Sequence, residues 1–229
     1  MSENNIVVGC KSWNKEHFDQ FTKSAQDRWE FIADKESLNE AVVDEINPKY
    51  IFFLHWSYKV PKAIFEKYDC ICFHMTDLPF GRGGSPLQNL IVRGYKDTFI
   101  SAFKMVEDYD AGPIYLKKKF SLSGSAQEIL IKASELSFVM IEEIVLDNIP
   151  PKPQEGEVVL FKRRRKEQSE IKEPKDISSI YDYIRMLDAE GYPKAFIELD
   201  GFKFEFDSAK LNGDEMVANV KITSIKENK

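Results

Sequence analysis

The chain has 229 residues, 43% apolar and 13% aromatic, enough for one α/β domain with a small appendage and too apolar for a disordered chain. With 38 acidic against 32 basic residues its net charge is -6, which argues against general binding to nucleic acid through phosphate neutralisation. No run approaches the roughly eighteen apolar residues of a membrane span, the first five residues have neither the basic segment nor the apolar stretch of a leader, and three cysteines cannot all pair. The expectation is a cytoplasmic protein with reduced thiols, with neither membrane nor nucleic acid among its partners.

In chain order, residues 6–9 form a short buried strand, residues 14–21 a helix with Phe18 and Phe21 as its apolar positions, and residues 29–33 a second strand. Residues 37–46 make an amphipathic helix with Leu38, Ala41, Val42 and Ile46 on one face. A fully apolar strand covers residues 50–55, and a short helix opened by Pro61 covers residues 60–68. This alternation predicts an α/β fold: a Rossmann-like, mostly parallel sheet flanked by helices and built with right-handed crossovers. Gly9 stands alone where a Gly-x-Gly-x-x-Gly turn would follow the first strand, so no bound dinucleotide is expected.

Residues 68–115 look chemical. A strand over 69–73 ends at His74. A loop with Pro79, Gly81, Gly83, Gly84 and Pro86 follows, too rich in Gly and Pro for helix or strand. A helical pattern over 87–93 stops at Gly94, a strand runs over 97–106, and Asp108-Tyr109-Asp110-Ala111-Gly112-Pro113 is a turn. Cys70 and Cys72 alternate on the first of these strands, and with His74 they lack a fourth ligand, so no metal site is expected. A His at a strand's carboxyl end and a carboxylate in a tight turn are where open α/β sheets keep their chemistry.

The second half changes character. A strand end at 120–122 precedes Ser125, which caps a long helix over 126–146 with Glu128 as the partner in a capping box. The helix's stripe of Ile129, Leu130, Ala133, Leu136, Val139, Met140, Ile144 and Val145 reads as core. Pro150, Pro151 and Pro153 make a stiff linker, which divides the chain into a domain over 1–153 and a small α+β region over 154–229. That region holds a strand at 158–161, the basic run Lys162-Arg163-Arg164-Arg165-Lys166, a helix over 176–187, and antiparallel strands over 195–199, 202–206 and 216–225. Asp200-Gly201 and Asn212-Gly213-Asp214 join these last strands. They form a small β appendage that offers a surface for a homodimer.

The motifs resemble those of the formyltransferases that use 10-formyltetrahydrofolate, a family with methionyl-tRNA, glycinamide ribonucleotide and sugar N-formyltransferase branches. The family's Asn-x-His, Leu-Pro loop with Arg-Gly and a Pro, and Asp-x-Gly turn appear here as Cys72-Phe73-His74, Leu78-Pro79-Phe80-Gly81-Arg82-Gly83 with Pro86, and Asp110-Ala111-Gly112. The likeness is good over about residues 50–170 and departs at one position, where the family's Asn is Cys72. Gln168, Ser169 and the segment Tyr192-Pro193-Lys194-Ala195-Phe196 also fit the family pattern.

The resemblance implies a transferase with 10-formyltetrahydrofolate as co-substrate. Formyl transfer to an amine requires loss of a proton from the amine, donors for an oxyanion, and a proton for the departing folate nitrogen. His74 and Asp110 suit the proton traffic. Alone, a strand-end His is more often a satisfied structural residue and an Asp in a turn more often bonds its own backbone; the loop and the family pattern reverse those odds. Cys72 stays open between a weak donor standing in for the amide and a small buried apolar filler.

Leu78, Pro79, Phe80, Gly81, Arg82 and Gly83 would cradle the folate, with Arg82 anchoring the loop. The basic run at 162–166 is read either as contact to a nucleotide diphosphate or folate tail, or as a solvated strand end. A short acidic chain favours a small acceptor, a nucleotide-linked amino sugar of the 4-amino-4,6-dideoxy type used in surface-glycan or pseudaminic-type synthesis. Trp56, Tyr58, Lys59 and Tyr181 are the candidates to bind it. The alternatives are a folate- or nucleotide-sugar-binding homologue without turnover, and a formyltetrahydrofolate hydrolase.

Overall fold

A computed structural model gives residues 3–225; Met1 and Ser2 of the amino-terminal segment read above, and the last four residues, lie outside the described residues. Two compact units are present. The first comprises residues 3–83, Thr98–Phe120 and Ile131–Leu160; the second comprises Gly84–Asp97, Ser121–Leu130 and residues 161–225. Among the described residues no helix is long and apolar enough to cross a membrane.

The first unit is built on a six-stranded sheet of order β2-β1-β3-β4-β6-β7. These are β1 (Asn4–Gly9), β2 (Arg28–Ile32), β3 (Tyr50–Leu54), β4 (Asp69–His74), β6 (Asp97–Lys104) and β7 (Ile114–Ser121). The β1–β2, β1–β3 and β3–β4 pairs are parallel and β4–β6 is antiparallel. The mostly parallel sheet expected from the alternation is therefore present, flanked by helices. Its centre follows from sequence: the runs in β1 and β3 are apolar without interruption, and both strands are buried on both faces. Ile6, Val8, Ile51, Phe53 and Cys70 share one face with Leu38, Val43 and Ile64. On neighbouring positions Phe52 lies against the rings of Trp29 and Phe73, at centroid distances of 6.0 and 6.4 Å. Truncating such a fully buried Phe to Ala costs about 3–5 kcal/mol.

Local chemistry sets the boundaries. Helix α1 covers Ser12–Phe21. Helix α2 (Glu40–Ile46) starts later than the residue-37 expectation, because the Asp34 carboxylate takes both the N–H and the hydroxyl of Ser37 and holds a turn there. Asn39 caps it, accepting from Val42 N–H at 3.1 Å. Strand β3 stops at Leu54 because His55 turns to φ 51°. Helix α3 spans Lys62–Lys67. The glycine-rich segment expected as a loop holds a short strand, β5 (Phe80–Gly83), which pairs with β8 (Val159–Phe161). Strand β7 begins six residues before the strand end expected at 120–122, and Lys117, Lys118 and Lys119 interrupt any apolar alternation along it.

The second unit contains helices α4 (Pro86–Val92) and α6 (Ile177–Arg185) and a three-stranded antiparallel sheet of order β11-β10-β9. Its strands are β9 (Ala195–Leu199), β10 (Phe202–Asn212) and β11 (Glu215–Ser224). Asp200 and Gly201 both take positive φ, as a two-residue hairpin turn requires. Helix α5 (Ala126–Asp147) opens on the expected box: Ser125 N–H donates to Glu128 Oε2 at 2.8 Å and Glu128 N–H to Ser125 Oγ at 3.3 Å. Arg185 is buried but not unpaired. It donates to Asp182 at 2.6 Å and to the carbonyls of Leu122 and Gly124 at 2.6 and 2.9 Å.

Candidate active site

His74 ends β4, where the strand's carboxyl end meets the Leu78–Gly83 segment, and it is 8% exposed. Its Nε2 lies 2.8 Å from the Gly81 carbonyl oxygen. A carbonyl only accepts, so Nε2 carries the proton, and Nδ1 of the neutral ring is a free base. Nδ1 lies 3.8 Å from Asp110 Oδ2. That is too long for a hydrogen bond and close enough for an ion pair once the ring is protonated. The sequence-predicted pair, 36 positions apart in the chain, therefore meets.

Asp110 is held in a left-handed conformation, φ 54°. Its Oδ2 accepts from Gly83 N–H at 2.8 Å. Two residues on, a Cβ added to Gly112 would fall 1.7 Å from the Lys104 carbonyl oxygen, so only glycine fits where the turn crosses β6. The turn and the glycine-rich segment are joined by a residue the sequence reading passed over. Gln154 Oε1 accepts from Arg82 Nε and Nη2 at 3.0 and 2.7 Å, and its Nε2 donates to the carbonyls of Asp110 and Gly112, both at 2.8 Å. Gln154 follows a proline run and lies on no periodic element, so no sequence pattern marks it. Both of these Arg82 nitrogens are committed to Gln154.

The rest of the segment is also tied down. Leu78 is fully buried, and its carbonyl accepts from Lys117 Nζ at 2.5 Å. The Leu78–Pro79 peptide is cis. The Pro79 carbonyl accepts from Val159 N–H at 3.4 Å. Gly81 and Gly83 take φ 76° and 106°, values that suit residues without a side chain. Phe80 and Gly83 are half-buried.

Cys72 lies two residues before His74 on β4, between Phe53 of β3 and Phe103 of β6. Burial, then the neighbouring Cys70 and Asp110, push its thiol well above the usual range, so it stays protonated at neutral pH. Cys70 is pushed up to about 12, by burial first.

At the carboxyl ends of β1 and β3 lies a second polar group that sequence reasoning also missed. His55 Nδ1 is 3.2 Å from Asn14 Nδ2, and that amide nitrogen donates to Ser134 Oγ at 2.9 Å. Burial, then the charges of Lys11 and His17, bring His55 down to about 4, so it is neutral. The adjacent Trp56 has its indole Nε1 buried without a hydrogen-bond partner among the described residues, and its ring is edge-on to Tyr58 at 5.1 Å. Lys59 is exposed. Tyr181 belongs to the second unit, on α6, with the Arg185 guanidinium 5.6 Å from its ring.

The family model described as the methionyl-tRNA formyltransferase C-terminal domain matches residues 166–223. A solved structure named methionyl-tRNA formyltransferase from Clostridium thermocellum is 47% identical, with a TM-score of 0.93 over 97% of this chain and 99% of that one. The methionyl-tRNA formyltransferase of Clostridium botulinum (strain Alaska E43 / Type E3) is 30% identical over 204 residues, 86% of this chain and 64% of its own length. The matches span 61–64% of the length of three curated relatives and 45–48% of the length of five more. Two solved structures share the fold at lower identity. HypX from Aquifex aeolicus in complex with tetrahydrofolic acid is 15% identical with a TM-score of 0.75, over 94% of this chain and 40% of that one. A sugar N-formyltransferase from Shewanella sp FDAARGOS_354 is 16% identical with a TM-score of 0.70, over 92% and 99%.

Proposed function

This chain belongs to the formyltransferase family, and from that premise we propose that it moves a formyl group from 10-formyltetrahydrofolate to a primary amine. The observation that carries the reading is His74, with Nε2 tied to Gly81 and Nδ1 facing the Asp110 carboxylate at 3.8 Å. In this reading the amine attacks the formyl carbon, Nδ1 takes the proton the amine loses, and Asp110 stabilises the resulting imidazolium. The C–N bond to the folate nitrogen then breaks, and that nitrogen leaves with the proton. The Leu78–Gly83 segment, with its two positive-φ glycines, lines the place for the folate's flat ring. HypX, which shares the fold, has been solved with tetrahydrofolic acid. Cys72 contributes a protonated, weakly donating thiol for the oxyanion.

For the acceptor the reading is the amine of a nucleotide-linked amino sugar, of the 4-amino-4,6-dideoxy kind used in surface-glycan or pseudaminic-type synthesis. Support comes from the net charge of -6 and from the sugar N-formyltransferase fold that this chain covers almost entirely. Trp56 and Lys59, on the segment after β3, would meet it; Tyr181 belongs to the second unit and has no part in this reading. The second reading is methionyl-tRNA, favoured by the name of the 47%-identical structure and by the match over residues 166–223. The three free thiols agree with a reducing, cytoplasmic setting.

The test follows tetrahydrofolate release from 10-formyltetrahydrofolate with no acceptor, with a panel of nucleotide amino sugars, or with methionyl-tRNA. Release only with an amino sugar supports the first acceptor, and release only with charged tRNA supports the second. Acceptor-independent release makes the protein a hydrolase. Folate binding without release under any condition makes it a non-catalytic binding protein and overturns the reading.

A further inference from the structure

The geometry points to Gln154 as the positioning residue of the Asp110 carboxylate. The inference rests on the formyl-transfer reading, in which Asp110 faces His74. One side-chain amide makes four hydrogen bonds here. Its oxygen takes both nitrogens of the Arg82 fork, and its nitrogen donates to two carbonyls of the turn, those of Asp110 and Gly112. The two sides of this clamp bear on one further bond. Arg82 precedes Gly83, whose N–H donates to Asp110 Oδ2, the oxygen that faces His74. Gln154 thus fixes both the backbone carrying the carboxylate and the backbone carrying its donor.

The clamp is itself anchored. Lys152, two residues earlier, exchanges backbone hydrogen bonds of 2.8 and 2.7 Å with Ile114, at the start of β7. The turn needs such support. Asp110 holds a positive φ, a conformation that costs a residue with a Cβ more than it costs glycine. Two donated hydrogen bonds to the turn's carbonyls offset that cost. Glutamate would have the same length and would keep the acceptor for Arg82, but it would have no donor for the turn. The donating half of the amide is therefore the half that positions Asp110.

The first measurement needs no turnover: amide hydrogen exchange at Gly83 in the full chain, with Asp110→Ala as the reference for complete loss of the acceptor. Gln154→Ala and Gln154→Glu are both expected to lose most of the Gly83 protection, with the amides of Val7 and Phe52 unchanged. Full protection of Gly83 in Gln154→Ala overturns the proposal, and full protection in Gln154→Glu overturns the part assigned to the donating half. The second measurement is steady-state kinetics with 10-formyltetrahydrofolate. The Gln154→Ala substitution is expected to lower kcat about tenfold to a hundredfold while KM changes less than about twofold, the signature of a misplaced group rather than a lost contact. A rise in KM with kcat unchanged overturns it. If the wild-type chain releases no tetrahydrofolate, the functional reading fails alone, and Gly83 exchange still decides the claim about Gln154.

Discussion

His74 is tied at one nitrogen and free at the other, so its substitutions separate hydrogen bonding from proton transfer. His74→Gln keeps a donor at the level of Nε2 for the Gly81 carbonyl but has no base. It is expected to lower the rate of tetrahydrofolate release by at least about 100-fold. Asp110→Ala removes the charge that stabilises the imidazolium and is expected to fall in the same range, with the fold intact by circular dichroism. Near-wild-type rates in either variant would remove the site from the chemistry.

His55 carries a different prediction. Its folded-state value of about 4 lies below the ordinary 6.5, so it contributes stability that is present above pH 6.5 and lost as pH falls to about 4. Over that window the unfolded chain binds a proton that the folded ring, accepting from Asn14, refuses. The loss is about 3 kcal/mol. Urea denaturation at pH 7 and pH 4 should show a drop in the wild type that exceeds the drop in His55→Gln by about that amount; equal drops would refute it. Of these side chains, His74 and Asp110 were legible in the sequence because a motif fixes their spacing. His55, Asn14 and Gln154 were not, because their partners are set by topology: Asn14 meets Ser134, 120 positions away.

At the scale of elements, the alternating strands and helices were readable because burial on both faces writes continuous apolar runs into β1 and β3, and because apolar residues at helical spacing mark the α2, α5 and α6 segments. The misses have equally local causes. The β5 strand is Phe-Gly-Arg-Gly, with nothing to alternate, and exists because β8 supplies its partner. Triple lysine hides β7. The turn between β6 and β7 shows how tightly such elements can be specified. Gly112→Ala would place a methyl group inside the Lys104 carbonyl, at 1.7 Å. That carbonyl belongs to the backbone and cannot rotate away, while Lys104 N–H is bonded to the Pro113 carbonyl at 2.8 Å. The expected outcome is a loss of about 3 kcal/mol or more in denaturant unfolding, together with loss of turnover as Asp110 shifts. A fully active, fully stable Gly112→Ala protein would show that the crossing is not as close as described.

For the molecule as a whole, the homodimer proposal rests on one edge. The β11 strand is the outermost strand of its sheet, so among the described residues its outer N–H and C=O groups face no neighbouring strand. The register places Val220 opposite Phe206 and Ile222 opposite Phe204, which puts all four on one face of the hairpin. The two phenylalanines are half-buried, whereas Val220 and Ile222 are 49% and 55% exposed, so the apolar face continues past the part that is covered. A long edge strand with an apolar face and few charges invites pairing, and a second copy presenting the same face would meet it by two-fold symmetry. We therefore expect sedimentation to give twice the single-chain mass. The double substitution Val220→Lys and Ile222→Lys should then give one chain's mass with the α/β unit still folded, since charged residues on an edge strand oppose strand pairing. A wild type that sediments as one chain at micromolar concentration would remove the dimer, and the hairpin would then be an edge protected by some other means.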